Sequence, residues 1–239
     1  MKAILKAGPE PGIELKDIPI PEPGAGEVLI KVEASAICGT DMHYYHWNQA
    51  GQGFASKFNV KWPLVLGHEC GGTIVKVGEG VSDRKVGDRV AVETHIPCGK
   101  CFNCQNGMAH NCSDMAIYGT STNGCFAEYA LAPAKVTFVI PQEMSFEEAA
   151  LLEPAGVAMR AVEEACVQPG DTVVVNGCGP IGLLAVLILK AGNAARVIAS
   201  DLDDYRLNLA EKLGAITINP TKENPVEKIQ MLTKDRGGA

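Results

Sequence analysis

No stretch of this sequence is apolar for long enough to cross a bilayer. The longest run, around Leu183 to Leu189, is about nine residues, roughly half of a membrane span. The start, Met1-Lys2-Ala3-Ile4-Leu5-Lys6, lacks the long apolar core and small-residue cleavage site of a secretory signal. Basic charge is also in deficit: 21 Lys and Arg stand against 28 Asp and Glu, a formal charge of −7 with no basic tail. Nucleic acid and anionic membranes are therefore not expected as partners. The expectation is a soluble, cytoplasmic protein.

What is present suits a packed globular chain. Its 239 residues allow one large domain or two ordinary ones, and a hydrophobic content of 46% is ample for a core. Cysteine is the unusual component. There are nine, an odd number, and Cys98, Cys101, Cys104 and Cys112 fall within fifteen residues. Without a secretory signal, such clustering points to metal rather than to disulfides. Four thiolates on tight turns can surround a zinc ion and leave no open position, so that metal is expected to be structural. An iron–sulfur run of the ferredoxin kind would place its fourth cysteine sooner and follow it with proline, whereas Ser113 follows Cys112.

Two regions differ in pattern. Residues 1–150 are rich in glycine and proline, with short strands predicted at Val28–Ala34 and Thr73–Gly78 and a turn leading into another strand over Val86–Val92. They read as a compact β domain. After Pro141 helices predominate. Ser145-Phe146-Glu147-Glu148 has the form of a capping box, and a second helix is expected over 155–166. Over 151–239 a strand at 171–175, a helix at 180–191 and a strand at 196–200 form a βαβ unit, followed by a helix at 205–213, a strand at 215–219 and a helix at 225–233. This is an α/β arrangement of the Rossmann, doubly wound parallel type. Such a sheet is built from two mononucleotide halves. Residues 235–239 read as a turn into a further strand, so the expectation is the first half of the sheet, from a longer chain.

Gly177-Cys178-Gly179-Pro180-Ile181-Gly182 follows the predicted strand and opens the helix. Asp201 lies 24 residues beyond Gly177, at the end of the next strand. That context is what a dinucleotide fingerprint requires. Gly177 allows the tight turn, Gly179 lets the backbone approach a pyrophosphate, and Gly182 lets helix and strand pack closely. Asp201 can accept the ribose hydroxyls and repel a 2′-phosphate, which favours NAD over NADP. A third region, Cys38-Gly39-Thr40-Asp41-Met42-His43 with Gly67-His68-Glu69, offers thiol, hydroxyl, imidazole and carboxylate groups. All of them can bind a metal or move protons.

With these motifs in this order, the sequence resembles the zinc-dependent medium-chain dehydrogenase/reductase family. The resemblance covers essentially the whole chain. It implies a GroES-like β domain followed by a Rossmann domain, and oxidation of a secondary alcohol by hydride transfer to NAD. By that likeness Cys38, His68 and Glu69 hold a catalytic zinc, Thr40 and His43 relay a proton, and Ile181, Asp201 and Arg206 contact NAD. Glu69 and Glu153 remain open between direct ligation and a second-sphere role, while His95 and His46 are expected near the substrate. Two substrate classes stay open, an amino-acid alcohol or a polyol or diol. Against both stands a zinc-stabilised nucleotide-binding module without catalysis. The resemblance also implies a homo-oligomer, dimer or tetramer. The stretch between Cys38 and His68 is longer than usual around residues 51–55. Cys70, Cys125, Cys166 and Cys178 are read as packing or turn residues, and Asp203-Asp204 as helix-start charge.

Overall fold

The computed structural model describes residues 1–192 and 194–234. The chain divides into two compact units, Met1–Glu153 and Pro154–Ala239.

In the first unit, strands β1 (Lys2–Lys6) and β2 (Glu14–Asp17) precede the long β3 (Glu27–Ala36). Two helices follow, α1 (Gly39–His46) and α2 (Gln49–Lys57), then β4 (Leu64–Val65), β5 (Glu69–Val77), β6 (Arg89–Val92) and β7 (His95–Ile96). The short helix α3 (Phe102–Gln105) lies in the cysteine lobe, before β8 (Ala116–Ile117), β9 (Tyr129–Pro133) and β10 (Thr137–Val139). Helix α4 (Phe146–Ala150) leads to α5 (Leu152–Glu164), within which the two units divide.

The central sheet has the order β10-β6-β5-β3-β9 and every pairing in it is antiparallel. Alternation decides its buried face: Val28 and Ile30 of β3, Ile74 of β5 and Val90 of β6 are fully buried and pack with Tyr118. Each such aliphatic side chain contributes about 1.5–3 kcal/mol on burial. Helix α4 packs on β5 at Gly71, where a Cβ would strike Ala149 and the backbone of Phe146. Ser145 Oγ accepts the Glu148 N–H (3.1 Å) and Glu148 returns the bond to Ser145 N–H (2.7 Å), so the predicted capping box forms. The next helix starts at Leu152, three residues before the expected Ala155. Pro154 is tolerated there because the first helical turn needs no intrahelical N–H bond.

The second unit holds a parallel three-stranded sheet in the order β11-β12-β13, from β11 (Thr172–Asn176), β12 (Arg196–Ser200) and β13 (Ile216–Ile218). Helices α6 (Pro180–Ala191), α7 (Asp204–Lys212) and α8 (Pro225–Thr233) follow these strands in turn. Val173, Val186, Leu189, Val197 and Leu207 form its core. Asp203 caps α7, its Oδ1 accepting the N–H groups of Tyr205 (2.8 Å) and Arg206 (3.4 Å). The turn expected over 235–239 lies outside the described residues. No helix among the described residues is long and apolar enough to cross a membrane.

Candidate metal centre

Strand pairing assembles the first site. Strands β3 and β5 run antiparallel with Ala36 opposite Glu69. Cys38, two residues past the end of β3, and His68, one residue before β5, therefore arrive at the same place. The ligand atoms of Cys38, His68 and Glu69 all lie within 4.8 Å of one another. His68 and Glu69 are each 5% exposed. Gly67 makes the approach possible: its φ is +91°, and a Cβ there would overlap the edge of the Phe126 ring. Two residues absent from the sequence reading close the turn, Gly119 and Gly124, since a Cβ on either would overlap the Gly67 carbonyl.

The electrostatics are those of a site built for a cation. Burial opposes charge on His68, yet its hydrogen bond to Cys38 and the charges of Asp41, Cys38 and Glu153 outweigh that and raise it to about 9. Glu69 is pushed up by burial first, with Glu153 adding to the rise and His68 opposing it. Burying several ionisable groups together costs several kcal/mol per charge unless a counter-charge offsets it. A soft thiolate, an imidazole and a carboxylate form a donor set that zinc accepts, and three protein ligands leave one position open. The residues fit the metal.

Asp41 was not singled out from the sequence. Its Oδ2 accepts the Cys38 N–H (2.9 Å), which ties the start of α1. Its Oδ1 lies 3.7 Å from His68 Nδ1, leaving the other imidazole nitrogen for a metal. Nothing in the local sequence separates this aspartate from an ordinary first-turn helix carboxylate; strand pairing gives it its role.

Thr40 and His43 lie one turn apart on α1, and the Thr40 hydroxyl is 3.8 Å from Cys38 Sγ. Glu153 acts electrostatically on His68, Glu69 and His95. His95 Nδ1 pairs with Glu93 Oε1 at 2.6 Å. The His46 ring packs against Tyr45, with centroids 5.0 Å apart. The middle of the Cys38–His68 stretch is not a loose insertion. It is helix α2, held by a cluster of Tyr44, Trp47, Phe54 and Trp62.

The second cluster is Cys98, Cys101, Cys104 and Cys112, with all four sulfurs within 4.8 Å of one another. The N–H groups of Cys98 (3.3 Å) and Asp114 (3.4 Å) donate to Cys112 Sγ. Backbone N–H groups of Cys104 and Ser113 bring Cys101 down to about 5, while burial and the neighbouring sulfurs push Cys104 up to about 12. Four soft donors, with no fifth group beside them among the described residues, suit a closed tetrahedral zinc site. The other cysteines fall where packing or a turn was expected: Cys70, Cys125 and Cys178 are buried, and Cys166 sits in a turn with φ 52°.

In the second unit the glycine turn has the expected geometry. Gly177 has φ +100°, and a Cβ on Gly182 would overlap the Gly177 carbonyl, so helix and strand meet only through glycine. Asp201 Oδ2 accepts the Cys178 N–H at 2.6 Å and Oδ1 accepts the Asp203 N–H at 2.9 Å. Those N–H groups lower its pKa, and Arg206 adds to the effect with Nη1 3.9 Å away. Gly179 caps α6 and Ile181 is 40% exposed beside it. The turn presents N–H groups and a carboxylate, the two features a dinucleotide needs.

Two family models match the chain: the alcohol dehydrogenase GroES-like domain over residues 24–142 and the zinc-binding dehydrogenase over 180–238. L-threonine 3-dehydrogenase of Pyrococcus furiosus is 44% identical over 238 residues, covering 99% of this chain and 67% of that protein. The chain belongs to the zinc-dependent alcohol dehydrogenase family. Similar solved structures share its architecture. The 2R,3R-butanediol dehydrogenase of Bacillus subtilis is 35% identical with a TM-score of 0.85, covering 98% of this chain and 67% of that one. An Escherichia coli CFT073 alcohol dehydrogenase complexed with NADH is 37% identical with a TM-score of 0.85, covering 99% and 67%. The chain thus spans about two thirds of the length of these family members. The GroES-like β domain and the nucleotide-binding α/β domain of the family are the two folds seen here.

Proposed function

We propose that this chain carries the zinc site and the cofactor turn of an NAD-dependent dehydrogenase that oxidises a secondary alcohol, with L-threonine as the first candidate. One observation carries the reading: Cys38, His68 and Glu69 converge within 4.8 Å with the Thr40 hydroxyl beside them. The identity to a threonine dehydrogenase over 238 residues supports the substrate.

Cys38 and His68 hold the catalytic zinc, with Glu69 as third ligand and Glu153 either a further ligand or a charge that tunes the other three. Cys98, Cys101, Cys104 and Cys112 hold a structural zinc. When bound, the catalytic zinc supplies Lewis acidity that eases loss of a hydroxyl proton, and NAD supplies the hydride acceptor. Thr40 takes its place as the first group on the proton's way out, and His43, one helical turn further, passes the proton to solvent. Gly177, Gly179 and Gly182 admit the pyrophosphate to the start of α6, with Ile181 and Arg206 beside it. Asp201 binds the adenosine ribose and disfavours a 2′-phosphate.

A polyol or diol substrate is the second reading, favoured by the charge of Glu153 acting on His68 and Glu69 and by the likeness to a butanediol dehydrogenase. The test is an assay of the full-length protein with NAD on L-threonine, 2,3-butanediol and sorbitol; the 239 residues alone are expected to bind NAD weakly and to turn over none of them. Preferred oxidation of L-threonine is expected. Turnover of a diol or polyol without L-threonine moves the function to the second reading, and no turnover with bound zinc leaves a non-catalytic module. As a cytoplasmic enzyme of this family, the protein is further proposed to be a homo-oligomer.

A further inference from the structure

The α1–α2 junction holds a hydrogen bond that neither the zinc nor the cofactor accounts for. Asn48 Nδ2 lies 2.9 Å from His43 Nδ1. The same Asn48 side chain caps α2, its Oδ1 accepting the Gly51 N–H at 3.1 Å. That second bond settles which end of the amide faces which partner. An N–H donor requires the carbonyl oxygen, so the oxygen turns to Gly51 and the NH2 group turns to His43. Nδ2 has only hydrogens to offer. His43 Nδ1 must therefore be the acceptor, and the neutral ring carries its proton on Nε2.

The turn around this contact is built with little freedom. Trp47 ends α1 in the left-handed region (φ 49°, ψ 42°), a conformation that costs a bulky residue about 1–2 kcal/mol. Its ring is held by Tyr44 and Trp62 and lies 5.3 Å from the buried Lys6 ammonium. Gly51 is buried against the backbone of His43, where a Cβ would overlap the His43 carbonyl. The Asn48 N–H also donates to the His43 carbonyl at 3.4 Å. The aromatic cluster thus fixes α2, and α2 fixes Asn48 against the ring.

We propose that Asn48 is a positioning residue that holds His43 in the Nε2–H tautomer by donating to Nδ1. The consequence for proton transfer rests on the dehydrogenase reading above. Held this way, His43 is a donor at Nε2 and has no free lone pair. It takes up a proton only at Nδ1, after the Asn48 hydrogen bond has opened. The Nε2 proton then leaves to water, and the neutral ring, now protonated on Nδ1, exchanges back to the Nε2–H form through water before the Asn48 bond closes again. Opening of one side-chain contact is thereby a required event in each relay through His43.

The test reads the tautomer itself. Nitrogen-15 spectra of the zinc-loaded chain report whether each His43 ring nitrogen carries hydrogen, whether or not the protein turns over substrate. The wild-type ring is expected as a single Nε2–H species. In Asn48→Ser the shorter hydroxyl still caps α2 but does not reach the ring, so the preference is lost and both tautomers are seen. In Asn48→Asp the carboxylate accepts from the ring, so the proton moves to Nδ1. Protection of the Gly51 amide from hydrogen exchange reports that α2 persists. A wild-type ring protonated on Nδ1, or an unchanged Nε2–H ring in either variant, overturns the proposal. Absence of dehydrogenase activity in the full-length protein would overturn the functional reading while leaving the tautomer result intact.

Discussion

Asp41 Oδ1 lies 3.7 Å from His68 Nδ1, both atoms are buried, and neither has a hydrogen-bond partner among the described residues. An orphaned carboxylate oxygen facing an orphaned imidazole nitrogen is costly in a protein interior. A metal on the other imidazole nitrogen relieves it, because the ring then carries a proton on Nδ1 and donates it towards the carboxylate. Asp41→Asn removes the acceptor charge that holds this orientation. It is expected to weaken zinc at Cys38 and His68 by about 10–100-fold while the four-cysteine zinc is retained. Chelator titration followed by metal analysis checks this, and equal loss from both sites would count against it.

Gly67 sets the approach of His68. Gly67→Ala forces a left-handed φ of +91° on a side chain that also meets the Phe126 ring. Strain and overpacking together are expected to cost about 2–4 kcal/mol, read as a lower denaturation midpoint at unchanged slope. Preserved stability would show that the turn tolerates a Cβ and that its glycine has another reason.

His95 and Glu93 make a half-exposed pair that titrates in opposite senses. The hydrogen bond to Glu93 raises His95 above its ordinary 6.5, and that same bond holds Glu93 below 4.5. His95 contributes stability fully present below 6.5 and lost as pH rises through its raised value. Glu93 contributes stability present above 4.5 and lost as pH falls through its depressed value. The pair is therefore strongest between those two values, at less than about 1 kcal/mol because both groups are partly solvated. Glu93→Gln is expected to lower the His95 titration midpoint in proton NMR; an unmoved midpoint would assign the rise to Glu153 instead.

Asp201 accepts two backbone N–H groups and keeps its charge at neutral pH. Asp201→Asn keeps the side-chain size and removes the charge that repels a 2′-phosphate. Discrimination between NADH and NADPH, measured by direct binding, is expected to narrow by about tenfold, the equivalent of 1.4 kcal/mol. An unchanged ratio would place cofactor choice elsewhere in the turn.

The parts of this architecture legible from sequence are those whose chemistry is local. The cysteine lobe, the capping box at Ser145 and the strand–glycine turn–helix around Gly177 each declare themselves within a few residues. The alternation at Val28, Ile30 and Ile74 likewise marks one sheet face. Asp41, Gly119, Gly124 and Asn48 were not legible, because their roles arise from residues brought together by pairing. Asp41 meets His68 only because Ala36 lies opposite Glu69. Gly124 is required because the Gly67 carbonyl and the Gly119 Cα lie where its Cβ would be. Helix α2 was obscured by Gly51 and Gly53, poor helix formers whose cost of about 1 kcal/mol each is offset by the Asn48 cap and the tryptophan cluster. The early start of α5 was hidden by Pro154, which reads as a boundary but sits comfortably within the first turn.

Metal content tests the central claim most directly. Protein purified with zinc and measured by elemental analysis should hold two zinc ions per chain, and Cys38→Ser should hold one, with the four-cysteine site filled. One zinc in the wild-type chain, or two retained in Cys38→Ser, would contradict a catalytic metal at Cys38, His68 and Glu69.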